Sequence, residues 1–111
     1  MISEEQVKTC AMYGVDPVAC DPELKGGIAL ESLGQPPLNA LRHPPEGGTA
    51  GWYIWGGKLS DAPNFFQPLH ASHLGDYVPG LLPYLALGPG WRVLLAPDHI
   101  DVWYDPSLLA E

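Results

Sequence analysis

Residues 51–57 read GWYIWGG, and this stretch restricts the fold more than any other. Trp52, Tyr53, Ile54 and Trp55 are consecutive and fenced by glycines. Aromatic and β-branched side chains favour a pleated strand. Successive side chains of a strand point to opposite faces, so Trp52 and Ile54 share one side and Tyr53 and Trp55 the other. A chain built around this strand must cover both faces of a sheet or leave one face to a partner.

The surroundings predict short elements. Glycine and proline number 13 each in 111 residues, about twice the usual share. The length suits one domain over residues 1–111, large enough to bury a core without disulfides or metal. Ser3-Glu4-Glu5-Gln6 fits a capping box, with Ile2 and Val7 at the positions of a hydrophobic staple. A helix over about 3–13 follows, with Val7, Cys10 and Ala11 as its apolar stripe and Gly14 as its stop. Residues 15–26 are turn-rich, and 27–33 suit a short strand. Two Pro-Pro pairs make 34–50 read as a stiff extended loop. Strands are expected at 51–56 and 65–69, and two short helices over 70–87, with Pro79 at a first helical position. Strands 91–96 and 99–105 close on a tight turn at Pro97-Asp98. The pattern is α+β: a small, mainly antiparallel sheet packed on the N-terminal helix and one or two short helices.

Thirteen acidic residues oppose five basic ones, a net charge of −8. Such a surface repels nucleic acid and anionic lipid and attracts basic partners. No signal-peptide pattern and no apolar run of membrane-spanning length occurs, which predicts a cytoplasmic protein. Cys10 and Cys20 form no metal pattern and read as reduced thiols. No phosphate loop or nucleophile elbow is present, so no catalytic residue and no cofactor are assigned. One cluster keeps a second reading open. His70, His73 and Asp76 have i, i+3, i+6 spacing, and with His43 or His99 they would serve a small metal-dependent enzyme or ligand-binding domain.

Alternation in 99–105 places Ile100, Val102 and Tyr104 on a core face and His99, Asp101, Trp103 and Asp105 on the other. Two dispositions of the aromatics are open. Either helices cover both faces, or one face stays open with Tyr53, Trp55 or Trp103 near the surface. On an open face, tryptophan and tyrosine are the usual anchors of a tight interface, and carboxylates around them suit a basic partner.

The order of features then matters. Gly51-Trp52, Gly56, Asp61, Pro68-Leu69-His70, Pro79, Pro83-Tyr84-Leu85, Gly90-Trp91 and Asp101-Val102-Trp103 follow a pattern that resembles the Imm33-like immunity proteins of bacterial polymorphic toxin systems. The resemblance covers about 27–106. The turn after the aromatic strand reads Gly56-Gly57-Lys58 where related sequences often carry an acidic turn, so no binding role is carried to it. The resemblance implies a non-enzymatic inhibitor that occludes a cognate toxin or effector domain. From charge, that toxin is expected to be basic, and Asp101, Trp103, Asp105, His99, Tyr53 and Trp55 are the candidate contact residues. No nucleic-acid or membrane partner is expected.

Overall fold

The computed structural model describes residues 2–109. Helix α1 spans Glu4–Met12, and its capping box forms as the sequence predicts. Ser3 Oγ accepts from the Gln6 amide at 3.1 Å, and Gln6 Oε1 accepts from the Ser3 amide at 3.1 Å. Gly14 ends the helix at φ +73°. The buried stripe differs from the expected one. Thr9 and Cys10 face inward, while Val7 and Ala11 stay exposed.

Six strands form one sheet: β1 (Lys25–Ile28), β2 (Leu38–Arg42), β3 (Thr49–Gly56), β4 (Gln67–His70), β5 (Trp91–Ala96) and β6 (His99–Tyr104), in the order β4-β1-β3-β2-β5-β6. All neighbours are antiparallel except β1 and β3. The expected strand at 27–33 lies earlier and is shorter, because a 3₁₀ turn at Leu30–Ser32 takes its second half. Strand β2 corrects the expectation of a loop over 34–50. The two Pro-Pro pairs flank Leu38–Arg42 instead of stiffening it, and β2 lies between β3 and β5.

The helical layer lies on one side, called the inner face here. It comprises α1, a 3₁₀ turn at Ala71–His73 running into the short helix α2 (Leu74–Tyr77), and a 3₁₀ helix at Pro79–Tyr84. Leu74, Val78, Leu81 and Leu85 from this layer pack with Cys10 and with Ile28, Ala40, Trp52, Ile54 and Val93 from the sheet. Trp52 is fully buried and donates from Nε1 to the Leu85 carbonyl at 3.1 Å.

Arg42 shares this core and is only 1% exposed. No carboxylate among the described residues meets it. Its guanidinium donates instead to five carbonyls: Ala50 at 3.0 Å, Val18 at 2.9 Å, Ala19 at 3.0 Å, Leu87 at 2.9 Å and Leu85 at 3.4 Å. It also lies 5.8 Å from the Trp52 ring centroid. Burial lowers the Arg42 pKa, and the nearby Cys20 raises it. The side chain thus ties the turn-rich segment after α1 to the sheet and to the end of the helical layer. Buried charges are usually paired or fully hydrogen-bonded, and this one takes the second route.

Candidate functional site: the outer face of the sheet

The register of the strands places the opposite, outer face in rows. One row runs Pro68, Gly27, Tyr53, Leu41, Arg92, Trp103 from β4 to β6. The next runs Trp55, Asn39, Leu94, Asp101 from β3 to β6. Gly27 fixes the side unambiguously, since a Cβ there would meet the Tyr53 ring at 2.7 Å, whereas one at Gly26 would meet Leu74 of the inner layer.

Two segments border this face. The connection from β3 to β4 lays Phe66 against Tyr53 and Trp55, with ring centroids 5.3 and 6.0 Å apart and edge-on geometry. This cover leaves Trp55 only 5% exposed, so Trp55 is part of the packing and not the surface aromatic that strand alternation allowed. The second segment is a 3₁₀ turn at Pro106–Leu109. Its Leu108 carbonyl lies 3.2 Å from His43 Nδ1. A carbonyl only accepts, so Nδ1 carries the proton there. Between the two borders, Tyr53, Leu41, Leu94, Asn39 and Trp103 are half-buried. A shallow groove lined by Leu41, His43, Tyr53, Trp55, Leu59 and Phe66 runs along the β3 side.

Strand β6 carries the expected polar set on this face. Arg92 stacks on Trp103 at 5.4 Å from its centroid and donates to Asp105 Oδ2 at 3.1 Å. Asp105 Oδ1 accepts from the Ser107 amide at 3.0 Å and from its hydroxyl at 2.6 Å. The bonds from Ser107 and then from Arg92 hold the Asp105 carboxyl below its ordinary pKa. Asp105 therefore fastens the C-terminal turn and is not a free charge. Asp101 is exposed, with His99 Nε2 4.0 Å away. Arg92 Nε is buried without a hydrogen-bond partner among the described residues. The other side of β6 differs from the expected core face. Val102 packs on the core, but Ile100 is 58% and Tyr104 48% exposed, because β6 is the sheet edge and the helical layer stops short of it.

Of the five basic side chains, Arg42 is buried and Arg92 is held by Asp105. The proposed histidine cluster does not converge. His73 Nδ1 lies 3.4 Å from Asp76 Oδ2, the His70 and His73 ring centroids are 6.5 Å apart, and among the described residues no three such side chains are placed to hold a metal ion. His43 and His99 sit on the outer face and do not join them. No helix among the described residues is long and apolar enough to cross a membrane.

The architecture is that of a small α+β domain whose two α-helices and longest 3₁₀ helix, among the described residues, pack on one side of a mixed sheet. The sequence model described as the Imm33-like domain matches residues 5–105, from within α1 through the end of β6, and the chain belongs to that family. The family name is that of an immunity protein. No curated protein and no solved structure matches the chain. The sequence signals missed Arg92 and Leu41, which lie in the row with Tyr53 and Trp103. Only the strand register brings these four together.

Proposed function

We propose that this protein is a bacterial immunity protein that binds a cognate toxin domain through the outer face of its sheet and neutralises it by occlusion. The observation that carries the reading is the row Tyr53, Leu41, Arg92, Trp103, half-buried, with no helix over it. Family membership supplies the kind of partner. Inhibition by occlusion needs no catalytic group, and the row offers what a tight interface uses: an aromatic anchor at its end with an arginine stacked on it. A basic toxin domain acting in the cytoplasm fits the chain's charge of −8, which would speed capture by long-range attraction.

Co-expression with the neighbouring toxin gene should rescue cells, and the two proteins should co-purify. Trp103→Ala should weaken that complex by about 2 kcal/mol or more, the scale of an interface hot spot. Asp101→Asn should slow association, and the difference should shrink as salt screens the charges. Unchanged binding by both folded variants would move the interface off this face. Turnover of a small molecule without toxin binding would overturn the reading altogether.

A further inference from the structure

We propose that the free edge of β6 pairs with β6 of a second copy of this chain, in antiparallel register about a twofold axis at Val102. This goes beyond toxin binding and rests on the edge itself. The two edges of the sheet are unlike. Strand β4 is four residues long and contains Pro68, which has no N–H to offer. Strand β6 is six residues long, His99–Tyr104, with no proline, no lysine and no bulge in its pairing with β5, and Asp101 is its one carboxylate. Those are the features by which natural sheets blunt an edge.

The hairpin fixes which backbone groups are free. Ala96 and His99 flank a two-residue turn, so they form a hydrogen-bonded pair, and such pairs alternate along an antiparallel ladder. His99, Asp101 and Trp103 therefore bond to β5, and Asp105 continues the phase by donating to the Gly90 carbonyl at 2.6 Å. Ile100, Val102 and Tyr104 direct their N–H and C=O groups to the other side, where no strand among the described residues pairs with them.

A second β6 satisfies all of these at once. With Val102 opposite Val102 of the other copy, Ile100 faces Tyr104, Asp101 faces Trp103 and His99 faces Asp105. Each copy's free donors and acceptors meet their counterparts. On the inner side the pairing joins Ile100 and Tyr104, the two large apolar side chains that β6 leaves about half exposed. A β-branched residue opposite an aromatic one is a favourable cross-strand pair, and on the outer side an imidazole faces a carboxylate. An isologous contact requires such self-complementarity. The twofold axis is perpendicular to the sheet, so the dimer keeps both outer faces on one side and both helical layers on the other.

One strand pair buries less than the roughly 1,200 Å² of a stable standard interface, so a weak, concentration-dependent dimer is expected. Each copy carries −8, so pairing should tighten as salt rises. That is opposite to the salt response of a basic toxin's capture, so the two readings fail separately. Sedimentation equilibrium on the full chain, at concentrations from about 10 µM to 1 mM, should show monomer giving way to dimer. Ile100→Lys places a charge where the side chain is exposed, and Val102→Pro removes a central outward N–H. Each should weaken dimerisation at least tenfold, and Ile100→Lys should leave the unfolding midpoint unchanged. A monomer at every concentration would overturn the proposal, as would a dimer undiminished by both substitutions. A protein that stays monomeric but loses its toxin through Ile100→Lys would give this edge to the toxin instead.

Discussion

Arg42→Met removes the buried guanidinium while keeping a long apolar side chain in its place. The five acceptors do not weigh equally. Val18 and Ala19 belong to exposed residues, so water can replace the arginine at their carbonyls. The Leu85 carbonyl keeps its bond from Trp52 Nε1. The carbonyls of Ala50 and Leu87, both buried residues, lose a donor outright. At about 1–3 kcal/mol for each buried group left short, the loss is roughly 2–6 kcal/mol before the relief of no longer burying a charge. A net destabilisation of about 3 kcal/mol or more is expected, a large share of the ~5–15 kcal/mol that holds a typical domain. Arg42→Lys should not rescue it, since an ammonium cannot span acceptors on three segments as a planar fork does. Urea unfolding measures this as a lower midpoint at unchanged slope. Limited proteolysis should cut near Val18-Ala19 in both variants and spare the wild type. A loss below about 1 kcal/mol, the value of one ordinary hydrogen bond, or full rescue by lysine, would refute the clamp.

Two further outcomes follow from backbone and charge. Gly51 has φ +92°, and a Cβ there would run into the carbonyl of His43, the residue just after β2, so Gly51→Ala should cost at least the ~1–3 kcal/mol of a strained backbone and lower the unfolding midpoint sharply. Asp105 has a folded pKa below its ordinary 3.8, so its contribution is present above that value and is lost as pH falls through the lower folded one. Unfolding midpoints from pH 7 to 2 should show wild type converging on Asp105→Asn only at the acid end, and parallel curves throughout would contradict the assigned hydrogen bonds.

What the sequence made legible was local. The capping box of α1, the alternation of β3 and the two-residue turn between β5 and β6 are each written within a few neighbouring residues, and each forms as read. Strand β2 was not legible, because LNALR has no marked alternation and owes its state to β3 and β5 on either side. The role of Arg42 was no more legible, since its acceptors lie in three other segments. On β6 alternation divides the side chains as expected, but the set read as a core face is only partly one: its place at the sheet edge depends on the strand order, so the exposure of Ile100 and Tyr104 could not be foreseen. Trp55 is buried for a similar reason. Its cover, Phe66, comes from a connection whose path no periodicity encodes.

The strand order also has a meaning in time. Strands β4, β1, β3 and β2 are made from residues 25–70, and the β5–β6 hairpin from residues 91–104 joins last, against β2. Any state in which β5 has not yet docked therefore leaves β2 as the outermost strand of the sheet, open to another chain. Its ends are already guarded: Pro36-Pro37 precedes it, Pro44-Pro45 follows it, and Arg42 closes it with a charge that reaches its last acceptors only once Leu85 and Leu87 have emerged. Proline and charge beside an apolar strand are what keeps exposed edges from sticking. The prolines that disguise β2 as a loop are thus the gatekeepers of the strand during its wait for β5.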